Sequence, residues 1–156
     1  MATTLTACAR LLTQDGIRHH VDAGEQVLRA VFATQDYENL RGEKIAIVTL
    51  ATADGGRRVR ASIARAFPVA DDPAAACLAC CRLAADTPLV GVEYDPDRDD
   101  LRLVVETTLE DGRLTKLQLF SMLDGLVQAA EAWHVGLRVA SARRRAGRSR
   151  AKRAAA

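Results

Sequence analysis

The pattern of apolar residues predicts an α+β fold, one antiparallel sheet with helices packed on it, in the order α-β-β-β-β-α-β-β-α. Apolar stripes at 3,4 spacing lie near both ends, in 3–15 and again after Thr115. Period-two or wholly apolar runs between them read as strands. Asp54-Gly55-Gly56 joins two of these runs, and Asp-Gly between apolar runs is a strong hairpin signal.

A length of 156 residues suits one domain able to bury its own core, and 49% hydrophobic with 27% charged residues is a globular composition. In the first element, Leu5, Cys8, Leu11 and Leu12 share a helical face and Gly16 stands at the C′ position that ends it. A strand follows, with Ile17, His19 and Val21 on one side and Arg18, His20 and Asp22 on the other. After a turn at Ala23-Gly24, residues 26–34 form a second strand with Leu28, Ala30 and Phe32 on one face. "QDYENLRGEK" is polar and connecting, and "IAIVTLA" (45–51), apolar on both faces, reads as a central strand. Residues 57–67 return with Val59, Ala61 and Ile63 on one face and Arg58, Arg60 and Ser62 on the other.

Asp71, Asp72 and Pro73 signal the second helix, an acidic cap before a proline at the first helical position, and this helix runs to about Ala84. Strands at 89–94 and 101–107 flank the turn "DPDRDD". Thr115 and Gln118 fit a capping box for the last helix, with Leu114 at the staple position. Leu119, Leu123, Leu126, Val127 and Ala130 form its buried stripe, with Trp133 near the end.

Three of the four cysteines fall in "CLACC", residues 77–81. Cys77 and Cys80 have the spacing of a zinc chelate, but there is no second pair to complete four ligands, and Cys8, His19, His20 and His134 are scattered. A redox Cys-x-x-Cys opens a helix, whereas this one lies within it. Core packing accounts for the run more economically: Cys77, Cys80 and Cys81 sit at i, i+3, i+4, with Leu78 and Ala84 extending an apolar surface. Asp95, Asp97, Asp99 and Glu106 match a calcium-loop pattern at its acidic positions, but Asp100 replaces the glycine that the loop needs, and the flanks are strands. His19 and His20 face opposite sides of a strand and do not share an ion. No metal and no cofactor are expected. There is no G-x-S-x-G, phosphate-binding glycine loop or H-E-x-x-H, so the expectation is a protein without catalytic residues.

The net charge of +2 conceals a division. Arg143, Arg144, Arg145, Arg148, Arg150, Lys152 and Arg153 lie in a final stretch without acids, which leaves −5 on residues 1–142. The expected arrangement is a single domain over 1–142 and a disordered basic tail over 143–156. Those cations are the candidate contacts to nucleic acid or another anion. No apolar run reaches the length of a membrane span, and the N-terminus lacks the pattern of a secretory signal, so a cytoplasmic protein is expected.

The stretch from Cys77 to Trp133 resembles the C-terminal half of YbjN-like proteins, a bacterial family labelled as sensory transduction regulators and similar in fold to type III secretion chaperones. The resemblance lies in a short helix (74–84), then "VGVEYDPD", "LRLVVET" and "LTKLQLFSMLDGLVQAAEAW". The N-terminal half matches through its first helix ending in Gly16 and the strands after it. Ala85-Asp86 stands where many relatives carry an Asn, and the basic tail is not a family feature. The resemblance implies a homodimeric or partner-binding, chaperone-like module and carries over no catalytic site. Phe32, Phe67 and Trp133 are the candidate partner contacts, because aromatic residues are enriched at such seams, with burial in the core as their alternative.

Overall fold

A computed structural model describes the backbone of residues 2–68 and 73–154 and the side chains of residues 2–67 and 76–136. Helix α1 (Leu5–Gln14) starts at Thr4, whose hydroxyl accepts the Ala7 N–H at 3.1 Å. It ends in a Schellman motif: Gly16, at φ +68, and Ile17 donate to Thr13 and Leu12, at 3.1 and 2.9 Å. Because Ile17 is committed to that cap, strand β1 (His19–Asp22) begins later than the alternation suggests.

Strands β2 (Val27–Ala33), β3 (Ile45–Ala53) and β4 (Arg58–Pro68) follow as a meander. Left-handed backbone at Asp54, Gly55 and Gly56 makes the β3–β4 turn, as Asp-Gly-Gly implies. After helix α2 (Pro73–Asp86) come β5 (Gly91–Asp95) and β6 (Asp100–Thr108). Pro73 is the first helical residue as expected, while the acidic cap read at Asp71 and Asp72 lies outside the described residues. All pairings are antiparallel, in the order β1-β2-β3-β4-β6-β5, so β3 is interior and β1 and β5 are the edges.

One face of the sheet carries the core. Leu28, Ala30, Val48, Leu50, Val59, Ala61, Ile63, Leu103 and Val105 are buried on it. The register sets Leu28 opposite Leu50, Leu50 opposite Ala61 and Ala61 opposite Val105, which keeps these side chains on a common face. Cys8 and Leu12 of α1 close one end of the layer.

Helix α3 (Lys116–Ala154) closes the other end with Leu119, Met122, Leu123, Leu126, Ala129, Ala130 and Trp133. Its start is the expected capping box: Thr115 Oγ1 accepts the Gln118 N–H at 3.2 Å, and Gln118 Oε1 accepts the Thr115 N–H at 2.9 Å. The disordered tail expected from residue 143 differs from this backbone, which is helical to Ala154 without a break at Ala142. Alanine and arginine are strong helix formers, no proline interrupts them, and cations are favoured at the negative end of a helix.

Candidate protein-interaction surface

Helix α2 carries two charged residues, Arg82 and Asp86, among fourteen. Leu83 is buried, and Ala76, Ala79 and Cys80 pack against the core. The opposite side, spanning Cys77, Leu78, Cys81, Ala84 and Ala85, is exposed, with Leu78 at 56%. The reading of "CLACC" as core is therefore corrected for two of its three thiols: Cys77 and Cys81 face out and only Cys80 is half-buried. The cause is composition. With only Arg82 and Asp86 charged, its polar side is too weak to mark the inner side by phase. Burial, reinforced by the neighbouring Cys77 and Cys81, pushes the Cys80 thiol up to about 11. Burial likewise raises the Cys8 thiol, so neither is set up as a nucleophile.

The α2–β5 connection carries a further exposed leucine. Leu89 is 88% exposed and sits at φ +71, a backbone region that bulky residues rarely enter. Strand β5 beside it is short and carries Glu93 and Asp95, charges that discourage another strand from pairing along its edge.

The helix-free face of the sheet is different in character. Arg60 bridges Glu93 and Glu106, Arg58 approaches Glu106 at 3.9 Å, and Arg102 bonds Asp95 at 3.3 Å. The Glu93 carboxylate, then Glu106, raises the Arg60 pKa further. This lattice satisfies its own charges. Asp95 also accepts the Asp97 N–H at 3.1 Å and Asp99 accepts the Tyr94 hydroxyl at 2.7 Å, so the acids of the calcium-like run hold their own turn.

Of the aromatic seam candidates, Phe67 and Trp133 are buried in the chain itself, 5.2 Å apart between ring centres, and Phe32 is half-buried against the core. Phe67 and Trp133 take the core alternative that their residue types left open, whereas Phe32 is only partly covered. Tyr37 completes that cluster, edge-on to Phe67 at 5.8 Å, with its hydroxyl donating to Ala66 O at 3.3 Å. Burial pushes its pKa to about 12. Tyr37 stands in a polar segment, and only its being an aromatic among polar residues marks it along the chain. His134 stacks edge-on against Tyr37, far from His19, whose Nδ1 lies 2.8 Å from Ile17 O. Among the described residues no three metal-ligating side chains are grouped to hold an ion, and no helix is long and apolar enough to cross a membrane. The tail cations Arg143 to Arg153 continue along α3, where the backbone alone is described.

No protein-family model matches the sequence, and no curated protein matches it. Solved structures do resemble the fold. YbjN from E. coli aligns with a TM-score of 0.62 at 15% identity, covering 90% of this chain and 96% of that one. A chain of the HopA1–SchA chaperone–effector complex aligns with a TM-score of 0.54 at 13% identity, covering 80% and 88%. The likeness to YbjN-like proteins read from the sequence is thus met in three dimensions: this chain has the antiparallel α+β architecture of YbjN and of a type III chaperone complex.

Proposed function

We propose that this chain is a chaperone-like, protein-binding module that works as a homodimer joined along the outer side of α2. The observation that carries the reading is the uncovered apolar side of that helix, Cys77, Leu78, Cys81, Ala84 and Ala85, with Leu89 exposed in the connection after it. A soluble domain gains little from a helix with so weak a polar side unless another surface covers it. Burying a leucine contributes about 1.5–3 kcal/mol, which Leu78 and Leu89 forgo in a lone chain.

Charge favours a second copy as the occupant. In a two-fold pairing a patch meets itself, so a patch of one sign repels its mate. Arg82 and Asp86, one turn apart, give this side one charge of each sign. The likeness of the fold to a chain of a chaperone–effector complex supports a role in holding another polypeptide.

The test is sedimentation of the full chain beside Leu78→Glu. The wild type is expected to sediment at twice 16.8 kDa and the variant at 16.8 kDa with unchanged helix content. A wild type that stays monomeric at every concentration, or a variant that remains dimeric, contradicts the seam.

A further inference from the structure

The last buried side chain among the described part of α3 is Trp133. The helix nevertheless continues to Ala154. Arg143 follows ten residues after Trp133, about 15 Å further along the axis at 1.5 Å per residue. The cations therefore lie on the part of α3 beyond the described side chains of that stripe. Seven cations within eleven residues repel one another along the helix, and a polyanion would relieve that repulsion.

Successive residues of a helix turn by about 100°. On that count Arg143, Arg144, Arg145, Arg148, Arg150, Lys152 and Arg153 fall all around the axis, with only Ala, Gly and Ser between them. A membrane-surface helix needs an apolar face opposite its cations, and a helix docking into a protein groove needs apolar anchors at i, i+3 or i+4. This segment has neither. There are also no aromatics on which single-stranded bases would stack. A cylinder with positive charge on every side is matched by a groove with a phosphate wall on either side. The major groove of B-form DNA admits an α-helix, whereas that of A-form RNA is too narrow.

We propose that residues 143–153 of α3 form a sequence-independent contact to duplex DNA, lying as a helix in the major groove. The net −5 of residues 1–142 holds the rest of the protein away from the phosphates, so the contact is confined to that segment. This proposal does not depend on the α2 seam.

The experiment is fluorescence anisotropy of a labelled DNA duplex titrated with the full chain and with a chain lacking 143–156. Expected is binding to the duplex that falls steeply with salt, the slope approaching about −6 in log K against log salt if all seven cations meet phosphates. Also expected are loss of binding on truncation and weaker binding to an RNA duplex and to single strands. Equal binding by the truncated chain, or none by the full chain at low salt, overturns the proposal. So does preference for single strands, RNA duplex or phosphatidylserine vesicles over the DNA duplex. A thermal melt of the truncated chain that matches the full chain ensures that lost binding is not lost folding.

Discussion

Glu131, on α3, accepts the backbone N–H of Tyr37 at 2.6 Å across 94 positions of sequence. The same carboxylate accepts the N–H groups of Gln35 at 2.6 Å and Asp36 at 2.7 Å, so one side chain caps three successive amides of the β2–β3 connection. Burial by itself would raise the pKa of Glu131, but these three donors, with His134 close by, outweigh it and hold the carboxyl below its ordinary value. The cap fixes Tyr37 where it can join Phe67 and His134.

A depressed folded pKa sets the direction of the pH response. The stabilisation is complete above the unfolded pKa of glutamate and is lost as pH falls through the lower folded value. Glu131→Gln is expected to cost about 1–2 kcal/mol at neutral pH, since the site is only partly buried and an amide oxygen still accepts weakly. The gap between wild type and variant should close in acid. Urea midpoints at neutral pH and below the ordinary glutamate range measure this; a gap that persists unchanged in acid would show that the carboxylate charge is not what holds the loop.

Gly56 is a second constrained point. Its φ is +82, and a Cβ there would lie 2.8 Å from the backbone nitrogen of Thr3 and still nearer its carbonyl. Thr3 in turn ties the N-terminus to the β6–α3 turn, donating twice to Gly112 O and accepting the Leu114 N–H at 2.8 Å. Gly56→Ala is expected to lower stability by about 1–3 kcal/mol and to release this segment to rapid hydrogen exchange. Gly55, also at positive φ but with nothing near its Cβ position, should tolerate alanine better, and thermal melts of the two variants compare them.

Leu89 separates stability from assembly. Replacing it by glycine removes an exposed leucine from a left-handed position, relieving strain while loosening the unfolded chain. The monomer is expected to change by no more than about 1 kcal/mol in chemical unfolding. The proposed dimer, whose seam Leu89 would extend, is expected to dissociate at a higher protein concentration than the wild type. An unaltered dissociation constant would remove Leu89 from the seam.

Much of this fold was legible along the chain, and the misses have physical causes. The capping box at Thr115 and Gln118, the stop at Gly16 and the inward row Val59, Ala61, Ile63 rest on local rules, and local rules survive folding. The placement of β6 between β4 and β5 depends on pairing between distant strands, to which local periodicity is blind. Tyr37 was hidden for a similar reason, since its burial depends on a carboxylate far along the chain. The outward cysteines show the remaining limit. Cysteine is usually buried, so residue type pointed inward, and a helix with only Arg82 and Asp86 charged offered little opposing signal. That same weakness of the polar side is what now marks α2 as a candidate seam.

The most direct measurement of that seam is the alkylation rate of each cysteine, read by mass spectrometry across a dilution series of the full chain. Cys8, 2% exposed, should stay unreactive throughout. Cys77 and Cys81 should be protected at high concentration and become reactive on dilution, in step with the fall in mass. Rapid alkylation of both at every concentration, in a protein that sediments as a dimer, would contradict pairing through α2.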